Sequence, residues 1–139
     1  MVTVTYDHQF TYSHDLDGQR YPRLTLRVSN PQDLTQAIDI EAYLDSGAQR
    51  SLLSGWIGNT LGLDILQGHQ LTYESTAGIG LTATLHPVRL EHPDLGRFDM
   101  EVGFSSAPIR RNLLGRDFFN HLQVGFREHQ LSFFITATP

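Results

Sequence analysis

Asp45, Ser46 and Gly47 close the stretch AIDIEAYLDSGAQRSLLSG, residues 37–55, and put an acid and a hydroxyl at the end of an apolar run. A carboxylate can take a proton from water or return one to a carbonyl oxygen, so an acid in a cleft is a candidate for acid–base hydrolysis. Delivering it to the edge of a core is costly unless it is paired, hydrogen-bonded or partly protonated. The delivery is legible. Ile38, Ile40, Ala42 and Leu44 alternate with Asp39, Glu41 and Tyr43, the period of a half-buried strand, and that strand runs straight into Asp45.

Simpler readings compete. Asp-Ser-Gly by itself marks a turn in most proteins, with Asp45 accepting backbone hydrogen bonds and Gly47 supplying a positive φ. Ser46 as a nucleophile would need an adjacent base, and the glycine two residues before the serine of a hydrolase elbow is absent. The seven histidines form no His-Glu-x-x-His pattern, so no metal site is expected and they read as surface or turn residues. Gly78-Ile79-Gly80 is not followed by the helix a dinucleotide site requires, and its glycines suit a hairpin tip. Trp56 and the pairs Phe118–Phe119 and Phe133–Phe134 read first as core.

The elements that must hold these residues are short strands. Segments starting at Val2, Arg23, Ala37, Leu71, Leu81, Arg97 and Leu131 have strand character, and DLDGQ, SNPQD, HPDLG and REHQ carry turn chemistry between them. Two helices are expected. SGWIGNTLG has Ser54 as N-cap, Ile57 and Leu61 at i, i+4, and Gly62 as a stop; GRDFFNHL has Asp117 in a first turn with Phe118 and Leu122 at i, i+4. The architecture is all-β and mainly antiparallel.

At 139 residues without a linker, repeat or low-complexity run, the chain reads as one domain over residues 1–139. A net charge of −5 with scattered signs gives no basic stripe for phosphates, which argues against nucleic acid and anionic membranes as partners. The absence of cysteine removes disulfides, thiolate metal sites and cysteine nucleophiles, and fits a reducing cytoplasm. No run approaches the roughly 18 apolar residues of a membrane span, and the N-terminus has no signal-peptide pattern. Met1 suggests independent expression.

Tyr43-Leu44-Asp45-Ser46-Gly47-Ala48, a Gly-rich hairpin, and then Leu113-Leu114-Gly115-Arg116-Asp117 before a short helix resemble the retropepsin-like aspartic proteases, which include the retroviral proteases and small bacterial relatives. The resemblance spans residues from about 23 to 135. It implies a closed β-barrel with a flap hairpin and one or two short helices, assembled as a two-fold homodimer. It also implies an aspartic endopeptidase without cofactor, acting on a peptide or protein substrate. With one Asp-Ser-Gly per chain, the second catalytic carboxylate comes from Asp45 of a second copy. The resemblance gives Ser46 a hydrogen bond across the dimer axis, lets Gly47 and Ala48 admit the substrate backbone, and places Ala77, Gly78, Ile79 and Gly80 at the flap tip. Leu114, Gly115, Arg116 and Asp117 form its second motif. In retroviral members the arginine of that motif pairs with the acid that follows the first; here that position is Gln49, so Arg116 needs another partner or is a solvated charge. The terminal strands VTVTY and LSFFITA either build the dimer sheet or close the monomer barrel. A rival is a catalytically silent dimerisation or peptide-binding module of the same fold; another is a monomeric β-barrel ligand-binding domain with a coincidental triplet.

Overall fold

A computed structural model of the chain describes residues 1–74, 77–78 and 80–138. The central pair is an antiparallel hairpin of β4 (Arg23–Asn30) and β5 (Asp33–Leu44). On both strands alternate residues go to the core: Leu24, Leu26 and Val28 on β4, and Ile40, Ala42 and Leu44 on β5. Glu41, Tyr43 and Asp45 therefore share the opposite face.

Two long strands, β8 (Gly80–His92) and β9 (Gly96–Ser105), form a second hairpin, and β7 (His69–Glu74) pairs with the first half of β8. Pro87 interrupts β8, and its place is consistent with its missing N–H. Pairing to β7 stops at Leu85 and pairing to β4 starts at Arg89, so Pro87 sits in the gap between two neighbours on that edge. The short strands β6 (Leu52–Leu53) and β10 (Asn112–Leu114) complete the order β4-β5-β10-β6-β9-β8-β7. Because β8 also pairs with β4, six of these strands close into a barrel, and β7 is left as an outer edge.

The barrel interior holds Leu26, Val28, Leu53, Val88, Leu90, Val102, Phe104 and Leu114. Helix α1 (Gly55–Thr60) adds Ile57 and Leu61, and ends at Gly62, whose φ of +74° is the left-handed stop read from its sequence. Ser54 occupies the N-cap position without a side-chain cap; its N–H instead donates to Asn112 Oδ1 at 2.9 Å. Helix α2 (Arg116–Phe119) buries Phe118 against Phe98, with ring centroids 5.2 Å apart.

A three-stranded sheet of β1 (His8–Thr11), β12 (Ser132–Ala137) and β11 (Leu122–Arg127) packs on the barrel through Phe133, Ile135 and Leu122, and a small hairpin joins β2 (Ser13–His14) to β3 (Arg20–Tyr21). Here the observed strands differ from the sequence reading. VTVTY is not a strand: pairing begins at His8, and Val2 and Val4 are exposed. The REHQ turn is a 3-10 turn over Glu128–Gln130, closed by Leu131 at φ +52°. Strand propensity at residues 2–6 has no partner among the described residues to act on. No helix of the described residues is long and apolar enough to cross a membrane.

Candidate active site

Strand β10 is inserted between β5 and β6, parallel to the first and antiparallel to the second. The loop that connects β5 to β6 therefore bends around the end of β10, and this loop carries Asp45, Ser46, Gly47 and Ala48. Its two ends are pinned. Asp45 N–H donates to Leu114 O at 2.9 Å, and Arg116 N–H donates to Ala48 O at 2.9 Å. Asn112 ties in the start of β10, donating through its side chain to Glu41 O at 3.1 Å.

Gly115 is required by contact rather than by backbone angle. A Cβ there would lie 2.7 Å from Ala48 O and 2.8 Å from the carbonyl carbon of Arg50, both backbone atoms that cannot swing aside. Behind it, Ser51 is fully buried and acts as a relay: its hydroxyl donates to Asp117 Oδ1 at 2.7 Å and accepts Gly115 N–H at 3.0 Å. Asp117 also accepts Ser51 N–H at 3.0 Å and Phe118 N–H at 2.8 Å. The second motif thus clamps the first.

Asp45 is half-buried, and among the described residues its carboxylate accepts one hydrogen bond, from Gly47 N–H to Oδ1 at 2.9 Å. The contact has the form of an Asx turn, but Gly47 is not among the glycines with positive φ, so the turn reading's demand on it is not met. A Cβ on Gly47 would come within 3.2 Å of Asp45 Oδ1. Ser46 is exposed, and its hydroxyl has no partner among the described residues.

The loop opens into a cleft of about 1010 Å³ that Asp45, Gly47, Ala48, Leu113 and Arg116 line from below. From the hairpin of β7 and β8 come Leu71, Tyr73, Glu74 and Leu81. Tyr73 joins the two walls: its hydroxyl donates to Ser51 O at 3.0 Å, and its ring occupies the space that a side chain at Gly103 would need. Burial, aided by the negative charge of Asp117, pushes the Tyr73 phenol up to about 12. The hydroxyl is thereby held as a donor.

The four residues expected at the flap tip divide. Ala77 and Gly78 form the exposed turn, where Gly78 at φ +78° needs to be glycine; Gly80 opens β8; Ile79 lies outside the described residues. The hairpin side chains facing the cleft are those of its strands, Tyr73 above all, which the glycine pattern did not single out. Leu114 and Gly115 are buried beneath the loop, Asp117 is bound to Ser51, and Arg116 is exposed and has no ion-pair partner among the described residues. Ser51, a serine in the unremarkable run QRSLL, left no signal in the sequence.

A smaller hollow of about 460 Å³ lies further along the outward face of β5, between Glu41, Tyr43 and Arg111. Arg111 is fixed there, its guanidinium 4.2 Å from the Tyr21 ring centroid and 4.9 Å from that of Tyr43, with ion pairs to Asp15 at 3.3 Å and Asp17 at 3.1 Å. Among the described residues no group of three or more His, Asp or Glu side chains is placed to hold a metal.

Chemically, the floor offers a positioned carboxylate at the end of a rigid strand, beneath a hairpin whose outer strand has a free edge. No protein-family model matches the chain, and no curated protein sequence does. Solved structures do. The EIAV protease complexed with the inhibitor HBY-793 is 18% identical with a TM-score of 0.53, the match covering 78% of this chain and 91% of that one. A retropepsin-like aspartic protease from Rickettsia conorii is 15% identical with a TM-score of 0.62, covering 100% of both chains. At such identities the likeness is one of architecture: the chain has the retropepsin-like fold.

Proposed function

We propose that the chain is an aspartic endopeptidase of one domain, residues 1–139, whose active form is a homodimer with two Asp45 side chains facing each other across a two-fold axis. The observation that carries this reading is the open carboxylate of Asp45, presented to a peptide-sized cleft by a loop pinned at both ends. One carboxylate cannot both activate water and protonate the carbonyl oxygen in the same step. Two held close together can, because like charges at short range favour one shared proton. The unprotonated oxygen takes a proton from water as it attacks the peptide carbon, and the protonated one gives its proton to the carbonyl oxygen; the amine leaves when the proton is returned to nitrogen.

The surrounding residues have supporting parts. Ser46, exposed and without a hydroxyl partner among the described residues, is placed to hydrogen-bond across the axis. Ala77, Gly78 and Gly80 belong to a hairpin tip suited to close over the peptide, while Tyr73 anchors the base of that hairpin to the floor. The outer edge of β7 suits an extended peptide paired by its backbone. The absence of cysteine is consistent with a cytoplasmic location.

A peptide-library digestion read by mass spectrometry, run alongside sedimentation, tests the proposal. Specific activity should fall on dilution as the dimer dissociates, and the rate should be bell-shaped with pH on the acidic to near-neutral side. Loss of the shared proton removes the acid; uptake of a second removes the base. Activity that stays constant in fully monomeric protein, or that climbs steadily into alkaline solution, contradicts the shared site. A dimer that binds peptides and cleaves none is the silent module instead.

A further inference from the structure

All ten basic side chains are arginine, in a chain whose net charge is −5. Four of them are neutralised locally: Arg23 by Glu41, Arg89 and Arg97 by Asp99, and Arg111 by Asp15 and Asp17. Arg50 and Arg116 have no such partner among the described residues, yet both line the cleft that holds Asp45. Their backbones are neighbours. Arg116 N–H donates to Ala48 O at 2.9 Å, and Gly115, just before Arg116, leaves room where a Cβ would sit 2.8 Å from the Arg50 carbonyl carbon. Between Ala48 and Arg50 stands neutral Gln49, and the acid closest in sequence to Arg116, Asp117, is turned to Ser51.

A guanidinium offers five donors in a planar fork that matches a carboxylate, and this match is stronger in a cleft covered by a peptide than on open surface. We propose that Arg50 and Arg116 form a carboxylate subsite, and that the cleft selects peptides bearing an Asp or Glu side chain near the bond to be cleaved. The proposal rests on the endopeptidase reading for its consequence in cleavage, and on the two arginines alone for its consequence in binding.

The test uses pairs of peptides that differ only by Glu or Gln at each position around a cleaved bond, all amidated at the C-terminus. Cleavage is measured with the wild-type protein and binding with Asp45→Asn. The Glu peptide should be favoured roughly tenfold at one position or more, through KM, with the preference shrinking as salt rises. Arg50→Gln combined with Arg116→Gln should bring the Glu peptide down to the level of its Gln counterpart, whereas Arg127→Gln, on the three-stranded sheet, should leave the preference intact. Cleavage without any preference for the acid overturns the subsite and leaves the peptidase standing. Preferential binding of acidic peptides that are never cleaved sinks the peptidase and supports the subsite. A preference seen only when the C-terminus is left free overturns the side-chain assignment, as does a double variant that is folded but monomeric, since the two arginines then serve the dimer. The wild-type digestion decides between acid and amide even where a variant fails to fold.

Discussion

Asp45 and Asp117 follow two parallel strands, β5 and β10, that lie side by side with Leu44 in register with Leu114. The same residue type has opposite surroundings. Asp117 accepts from the Ser51 amide and hydroxyl and from the Phe118 amide, which fills most of its acceptor capacity. Among the described residues the Asp45 carboxylate accepts from Gly47 alone, and Asp45 lines the cleft. A carboxylate whose lone pairs are taken up by backbone holds structure; one that retains open lone pairs on a fixed strand can handle protons. The two motifs are thus a clamp and the group it holds.

The strongest way to break this comparison is at Asp45. Asp45→Asn keeps shape and hydrogen bonding but removes both carboxylates of the proposed dimer, so hydrolysis should drop by at least about 10⁴-fold while thermal unfolding stays cooperative. A folded, dimeric variant that cleaves at the wild-type rate would make Asp45 no more than a turn residue. Asp117→Ala should do the reverse, acting on stability first. It strands the buried Ser51 amide and hydroxyl, and about 2–3 kcal/mol should be lost in a denaturant titration, with activity falling as the loop loses its brace. Unchanged stability would mean that the clamp is not made in solution.

Ser46→Ala sharpens the contrast within the first motif. No Ser46 hydroxyl hydrogen bond is present to lose among the described residues, so monomer stability should hold while the proposed dimer weakens by roughly 1–3 kcal/mol in sedimentation equilibrium, the worth of two hydrogen bonds. A smaller effect is expected at Tyr73, because Ser51 O also accepts Gly103 N–H at 3.1 Å and stays bonded without the phenol. The folded phenol is shifted from 10.0 to about 12, so the folded state retains a proton that the unfolded state releases first. Its stabilisation is complete below pH 10 and lost as pH rises towards 12. Tyr73→Phe should therefore lose less stability than wild type across that interval, and equal alkaline sensitivity of the two proteins would count against a buried, anchored phenol.

What could be read beforehand follows the range of each cause. The alternation of Ile38, Ile40, Ala42 and Leu44 is local, and so is the Ile57, Leu61, Gly62 pattern of α1; both match the structure. Strands β6 and β10 have two and three residues, too few for a period, and owe their form to partners about sixty residues away. β11 went unread because Gly125 breaks its pattern; there the Tyr6 ring takes the space of a side chain. At the site, the types and spacing of Asp45 and of Gly115 to Asp117 were legible as motifs, whereas the contacts of Asp117 with Ser51 and of Tyr73 with Ser51 join residues 66 and 22 positions apart. No pattern on one strand encodes such a meeting.

The insertion of β10 also orders events in time. Residues 112–114 leave the ribosome only after all of β4 to β9, yet they fill the slot between β5 and β6 that shapes the Asp45 loop. The hairpin of β4 and β5 can form from neighbouring residues; the loop cannot, since its pins are Leu114 and Arg116. Contacts of such long sequence separation form slowly, because the intervening chain must be ordered first. The Asp45 loop should thus stay unformed until β10 and Arg116 have been made, a safeguard for a protein proposed to cut peptides. In pulse-labelled refolding, the amides of Asp45 and Arg116 should gain protection together and after those of β4 and β5; protection of Asp45 ahead of Arg116 would show that the loop takes shape without its clamp.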